Sequence, residues 1–320
     1  MAIAKRPLLV ALRPLGLGDL LTGIPALRAL RATFTQHRLV LAAPAVLRPL
    51  ALLSGAVDEV VHTRPLQPLP HMLRGADLAV DLHGRGPRSH RVLLASRPRR
   101  LIAFANPAVP ESHGLASWRA DEHEVQRWCR LLAEAGIRAE PGDLDLPPLP
   151  RAHASGSLGA TLVHPGAASA ARRWPADRFA AVARAEAAAG RRVLVTGSAH
   201  EKALARRVAE EAGLPPEAVL AGRTDLLELA ALVAAAGCLV SGDTGVSHLA
   251  TAFRTPSVVV LGPTPPTWWG PPPERHWHRP IWAGLRGDPH AAEPHPGLLR
   301  VGVADVLAEL ATLERKTLAA

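Results

Sequence analysis

Two short stretches hold the side chains best suited to chemistry. In residues 240–270, VSGDTGVSHLATAFRTPSVVVLGPTPPTWWG, an apolar run stops at Ser241-Gly242. Asp243, Thr244 and Gly245 then stand where a strand hands over to a helix, with His248 in its first turn. Backbone N–H groups at such a start point outward and hold anions. A second apolar run, 257–261, ends in Gly262-Pro263-Thr264-Pro265, and two strand exits on one edge of a parallel sheet form a ligand crevice. The other stretch is near the N-terminus, where an apolar run gives way to Gly16-Leu17-Gly18-Asp19. A carboxylate there, beside glycines that admit a substrate closely, is suited to taking a proton from an attacking hydroxyl. Taken alone, Asp19 also reads as a helix-capping residue. The spacing Gly16-x-Gly18-x-x-x-x-Gly23 departs from the GxGxxG dinucleotide fingerprint, and no acidic residue ends the second strand.

The elements that must position these groups alternate between short apolar runs and helical patterns, the signal of a parallel α/β architecture. In the first half the pattern predicts strands over 8–12, 38–42, 59–62 and 78–82, with helices over 20–33 and 122–135. Residues 141–150, PGDLDLPPLP, are too rich in proline for either element and read as a linker. Strands follow over 161–164, 192–196, 218–220, 238–241 and 257–261, with helices over 176–190, 201–212 and 226–236. Residues 263–296 show no period, and a helix over 303–313 closes the chain. The reading is two doubly wound, Rossmann-like domains facing across a cleft: 1–150, with its linker at about 141–158, and 151–320.

The length of 320 residues suits two domains with separate cores, and 48% hydrophobic with 20% charged residues is ordinary for a globular protein. The opening MAIAKRPLLVALRP is a charged lead-in to a strand rather than a signal peptide, and no apolar run approaches about eighteen residues, so the expected location is the cytoplasm. Two cysteines, Cys129 and Cys238, make neither a disulfide framework nor a cysteine-rich metal site. The net charge of +9 is scattered, and its densest stretch, 85–100, lacks an aromatic residue for base stacking, which argues against nucleic acid. A basic face suits peripheral contact with an anionic membrane, or a phosphorylated acceptor. His276, His278, His290 and His295 have no helical spacing or acidic pair, and Asp143-Leu144-Asp145 sits in the linker, so no metal is expected. Trp268, Trp269, Trp277 and Trp282 suit stacking on a sugar or base, or plain packing.

Asp243-Thr244-Gly245 with His248, then Thr255-Pro256, Gly262-Pro263-Thr264-x-Pro266 and Trp269-Gly270, resembles the C-terminal signature of glycosyltransferase family 9, the ADP-heptose:lipopolysaccharide heptosyltransferases. Leu9-Val10, the Gly16 to Asp19 turn and Gly23-Ile24-Pro25-Ala26-Leu27 are similar to that family's opening strand, turn and helix. Val80-Asp81-Leu82-His83-Gly84 resembles its Asp-Leu-Gln-Gly segment with His for Gln, and His123-Glu124-Val125 resembles its His-x-Val element. His164-Pro165-Gly166-Ala167 through Arg172-Arg173-Trp174-Pro175 is similar to its first C-domain loop. The resemblance runs from residue 8 to 270 in the family's order.

It implies the GT-B fold and an inverting, metal-independent glycosyltransferase without a cofactor, taking a nucleotide sugar, ADP-heptose or a relative, to a hydroxyl of a glycan, glycolipid or small glycoside. Asp19 would be the general base, with Gly18, His83 and His123 on the acceptor side. Arg172, where the family usually has lysine, would grip diphosphate, which a guanidinium does bidentately; as a loop charge it would simply be solvated. Asp243, Thr244, Gly245 and His248 would hold diphosphate and sugar hydroxyls. Glu201, where the family has an acidic residue near the nucleoside, suits ribose hydroxyls, and equally suits the first turn of a helix. A nucleotide-sugar epimerase of the same architecture and a non-catalytic sugar-nucleotide-binding protein are the alternatives.

Overall fold

The computed structural model describes residues 6–149 and 158–315. It divides into two compact units, Met1–Leu144 and Asp145–Ala320. The division falls inside the proline-rich segment, and the chemistry of three consecutive residues explains it. Leu144 packs with Val125 and Cys129 of the first unit. Asp145 pairs with Arg275 at 2.6 Å and Arg254 at 3.0 Å, and the Leu146 N–H donates to Ala252 O at 2.9 Å, all within the second. Residues 150–157 of the expected linker lie outside those described.

The first unit is one parallel sheet of β1 (Leu8–Leu12), β2 (Arg38–Ala43), β3 (Glu59–His62), β4 (Leu78–Asp81) and β5 (Arg100–Ile102), in the order β3-β2-β1-β4-β5. Val10 lies opposite both Val40 and Ala79. Leu9 to Leu12 are all buried, as a central parallel strand covered on both faces requires. The helices are α1 (Leu17–Thr33), α2 (Arg48–Leu53), α3 (Arg88–Ala95) and α4 (Glu124–Glu134). In α4, Val125, Trp128, Cys129 and Leu132 recur at helical spacing and are buried.

The second unit repeats the plan with β6 (Thr161–His164), β7 (Val193–Val195), β8 (Cys238–Gly242), β9 (Ser257–Leu261) and β10 (His278–Trp282), in the order β10-β9-β8-β6-β7. Its helices are α5 (Ala176–Ala188), α6 (Lys202–Ala212), α7 (Leu226–Ala235), α8 (Gly245–Ala252), α9 (Pro266–Trp269), α10 (Pro296–Arg300) and α11 (Val303–Thr312). Val163, Val195, Val240 and Val260 from four neighbouring strands pack with Trp174, Phe179 and Leu310. Among the described residues no helix is long and apolar enough to cross a membrane.

Several expectations need correction. Residues 218–220 are not a strand: prolines at 215 and 216 start a 3-10 turn over Pro216–Ala218, and only a single bridge, Val219 to Val195, remains. The stretch 263–296 is not featureless, since β10 runs through His278-Arg279-Pro280-Ile281-Trp282. An edge strand tolerates Pro280 because its missing N–H breaks no ladder on the open side. β5, α2 and α3 are too short to show a period in the sequence.

In each sheet the strand order reverses direction once, between β1 and β4 and between β6 and β8. Ligands of such sheets bind beyond the carboxyl ends of those strands.

Candidate functional site

In the first unit the chain leaves β1 through Arg13 and enters α1 at Leu17, with Gly16 as N-cap. Asp19 is not the cap itself but the third helical residue, and its Oδ2 reaches back to accept the Gly16 N–H at 3.1 Å. That fixes the carboxylate at the strand exit with its side chain 25% exposed. Burial pushes the carboxyl above its ordinary range, the Arg13 charge opposes this, and the Glu124 charge adds to the rise. Gly18 is the second helical residue, and its carbonyl accepts from Thr22 Oγ1 at 3.0 Å.

The facing strand, β4, ends in Asp81, whose Oδ1 accepts the His83 N–H at 2.9 Å. Asp81 is wholly buried, and burial raises its carboxyl to about 6. His90 Nε2 stands 3.4 Å from its Oδ2. The His83 ring is partly buried, with burial and then the Arg13 charge holding its pKa down, so the imidazole is neutral near pH 7. His123 is the N-cap of α4, and its Nδ1 accepts the Val125 N–H at 3.3 Å. Arg13, which stands outside the sequence motifs, and Glu124, which the His123-Glu124-Val125 motif carries without a role, join at 3.1 Å in the interior. The signal was a single one, an arginine directly after an apolar strand.

In the second unit the loop after β6 is His164-Pro165-Gly166-Ala167. The Glu201 carboxylate lies against Gly166: a Cβ there would stand 2.1 Å from Glu201 Oε1. Ser198 holds that carboxylate through its N–H and its hydroxyl, both 2.8 Å from Oε2. Burial alone would raise the Glu201 pKa, but the Ser198 hydrogen bonds, with His164 and Arg173, bring it below the ordinary range. Glu201 is therefore an anionic acceptor at the end of β6. Beneath it His164 is buried, its Nδ1 2.9 Å from Thr196 Oγ1, and burial pushes its pKa down to about 4.

Arg172 closes the 3-10 turn Ala170–Arg172, which rests on the ends of β8 and β9. Gly242 and Gly262 permit this, because a Cβ on either would meet the carbonyl oxygen of Arg172 or Ala171 at 2.9 Å. The turn brings Arg172 Nη1 to 4.0 Å from Oδ2 of the buried Asp243. Thr244 caps α8 with its backbone, and its hydroxyl makes no capping bond. The helix opens at Gly245 with outward N–H groups. His248, one turn on, packs edge-on against Trp269 at 5.8 Å. Arg172, Glu201, Asp243, Thr244 and Gly245 thus all sit on the loops and turns at the carboxyl ends of β6, β7 and β8, where such sheets bind ligands.

The remaining acid and histidine motifs have other partners. Asp143 pairs with Arg28 at 2.5 Å and Asp145 with Arg275 and Arg254. His278 Nδ1 meets Ser257 Oγ at 2.8 Å, and His295 caps α10. Among the described residues no three His, Cys, Asp or Glu side chains are grouped to hold a metal ion.

Residues 115–278 match the family model for glycosyltransferase family 9 (heptosyltransferase). The lipopolysaccharide heptosyltransferase 2 of Escherichia coli K12 is 26% identical, the alignment covering 95% of this chain and 98% of that protein. Among solved structures, the E. coli ADP-heptose lipopolysaccharide heptosyltransferase II superposes with a TM-score of 0.74 at 23% identity, covering 95% of this chain and 97% of that one. A family 9 glycosyl transferase from Veillonella parvula superposes with a TM-score of 0.77 at 17% identity, covering 96% and 97%. The shared fold is GT-B, two parallel-sheet α/β domains.

Proposed function

Because this chain belongs to glycosyltransferase family 9, the heptosyltransferases, we propose that it moves a heptose from ADP-heptose, or a closely related ADP-sugar, to a hydroxyl of a glycan, glycolipid or small glycoside, with inversion and without a metal. The observation that carries this reading is the approach of Arg172 to Asp243 at the start of α8. A diphosphate there would meet a guanidinium and outward N–H groups, the positive counterpart that a leaving ADP needs. The Thr244 hydroxyl and His248 would hold diphosphate and sugar oxygens, and the anionic Glu201 would accept from the ribose hydroxyls.

Asp19, in the first unit, would act as the base. As the acceptor oxygen attacks the anomeric carbon, its proton passes to the Asp19 carboxylate, the new C–O bond forms, and the bond to the diphosphate breaks with its electron pair leaving on ADP. A carboxylate whose pKa burial raises is a stronger base than an ordinary one, which suits that task. Gly18 would leave room for the acceptor, with His83 and the His123 segment beside it. The exposed Arg85, Arg88, Arg91, Arg97 and Arg100 offer a basic face to an anionic acceptor or to the cytoplasmic face of a membrane.

The test is Asp19→Asn. Asn keeps an oxygen for the Gly16 N–H, so melting temperature and ADP affinity should hold, while turnover falls on the order of 10²–10⁴-fold. Normal turnover would reduce Asp19 to a helix-start acceptor and move the search to His83, since His123 Nδ1 is engaged in capping.

A further inference from the structure

Arg13 has a wholly buried side chain, so its guanidinium donors turn to acceptors inside the protein. Nε donates to the carbonyl of Asp19 and Nη1 to that of Leu82. Nη2 donates to Thr22 Oγ1 and to Glu124 Oε1, each at 3.1 Å. Both hydrogens of Nη2 are thereby engaged. Asp19 Oδ1 lies 3.8 Å from the same nitrogen, outside hydrogen-bond reach. Gly23 makes this packing possible, because a Cβ there would stand 2.9 Å from Arg13 Nε. Glu124 is itself fixed by Arg127 and by Trp128 Nε1, the latter at 2.7 Å.

We propose that Glu124 is a positioning residue for the transfer: by occupying a hydrogen of Arg13 Nη2 it keeps Asp19 Oδ1 beside the guanidinium but unbonded, open to the acceptor's proton. This rests on the reading of Asp19 as general base. Two effects act together. The first is donor accounting, because a freed Nη2 hydrogen could turn to Asp19 Oδ1, 3.8 Å away. The second is charge, because Glu124 compensates Arg13; without it an unbalanced cation would stabilise ionised Asp19 and weaken it as a base. The charged groups acting on Asp19 are Arg13 from the end of β1 and Glu124 from α4. Asp81 and His83, at the end of β4, also feel Arg13.

Three variants of the full chain separate this from a plain structural role. E124Q keeps an acceptor for Nη2 but removes the charge; T22V keeps the charge but frees an Nη2 hydrogen; R127Q loosens Glu124 without freeing any hydrogen of Arg13. The Asp19 carboxyl is titrated by 13C NMR, and ADP release from ADP-heptose is followed against pH with lipopolysaccharide core oligosaccharide as acceptor. In E124Q and T22V the Asp19 titration and the acid limb of the rate profile should both move to lower pH, with plateau kcat falling about threefold or more as the base weakens. R127Q should leave both in place. An Asp19 titration unmoved in E124Q and T22V, or moved equally in R127Q, overturns the inference while an inactive D19N leaves the base reading standing. D19N with wild-type turnover overturns the base reading itself, and this inference with it.

Discussion

Gly166→Ala tests whether Glu201 acts from where the fold holds it. The backbone at Gly166 is not left-handed, so alanine is allowed there, but its Cβ would stand 2.1 Å from Glu201 Oε1, 2.2 Å from Cδ and 2.7 Å from Oε2. Ordinary contact begins near 3.4 Å, so the carboxylate must withdraw by about 1.3 Å, the difference of 3.4 and 2.1. Such a shift breaks at least one of the two 2.8 Å bonds from Ser198. Glu201 is only partly buried, so water replaces the lost partner, and the cost to folding should be about 1 kcal/mol or less. Binding should suffer more: a hydrogen bond between a charged carboxylate and the donor nucleoside is worth about 1.5–3 kcal/mol, or roughly ten- to hundredfold in Kd. Calorimetric titration with ADP, run beside Glu201→Ala and with thermal melts of both, measures the two costs separately. The reasoning fails if Gly166→Ala binds ADP like wild type while Glu201→Ala is weak, and the ribose role fails if Glu201→Ala itself binds normally.

Gly242→Ala sets a Cβ 2.9 Å from the carbonyl oxygen of Arg172, a backbone atom that cannot swing aside. The turn must lift, so stability should drop by about 1–3 kcal/mol, and ADP affinity should drop with it as Arg172 leaves Asp243; an unchanged melting temperature would show that the turn is not seated on β8. His164 has its pKa lowered from 6.5 to about 4 by burial, so on acidification the unfolded chain takes up a proton first. Its contribution to stability is therefore present above pH 6.5 and lost as pH falls toward 4, amounting to about 2 kcal/mol between about pH 7 and pH 5. Urea melts of His164→Gln should show a smaller acid loss than wild type, though not none, since burial lowers His278 in the same direction to about 3; identical acid losses would mean that His164 does not titrate as a buried neutral imidazole.

Apolar runs and the polar residues that end them are enough to place several strands of the two sheets and the order of the motifs. β1, β6 and β9 lie where apolar runs place them, because parallel strands covered on both faces need largely apolar residues and stop at the polar residues, glycines and prolines that follow. Asp19 and Asp243 to Gly245 were legible for the same reason, as polar residues standing at strand exits. Tertiary structure alone decided their company. Arg13 and Glu124 are 111 positions apart, and no local period links them; they meet because α4 packs on α1 beside the end of β1. Glu201 finds Gly166 only because β7 lies next to β6, and Arg172 finds Asp243 only because the 170–172 turn folds over the ends of β8 and β9. β10 was hidden among prolines and tryptophans, since an edge strand is defined by the neighbour it pairs with and its own residues carry no alternation.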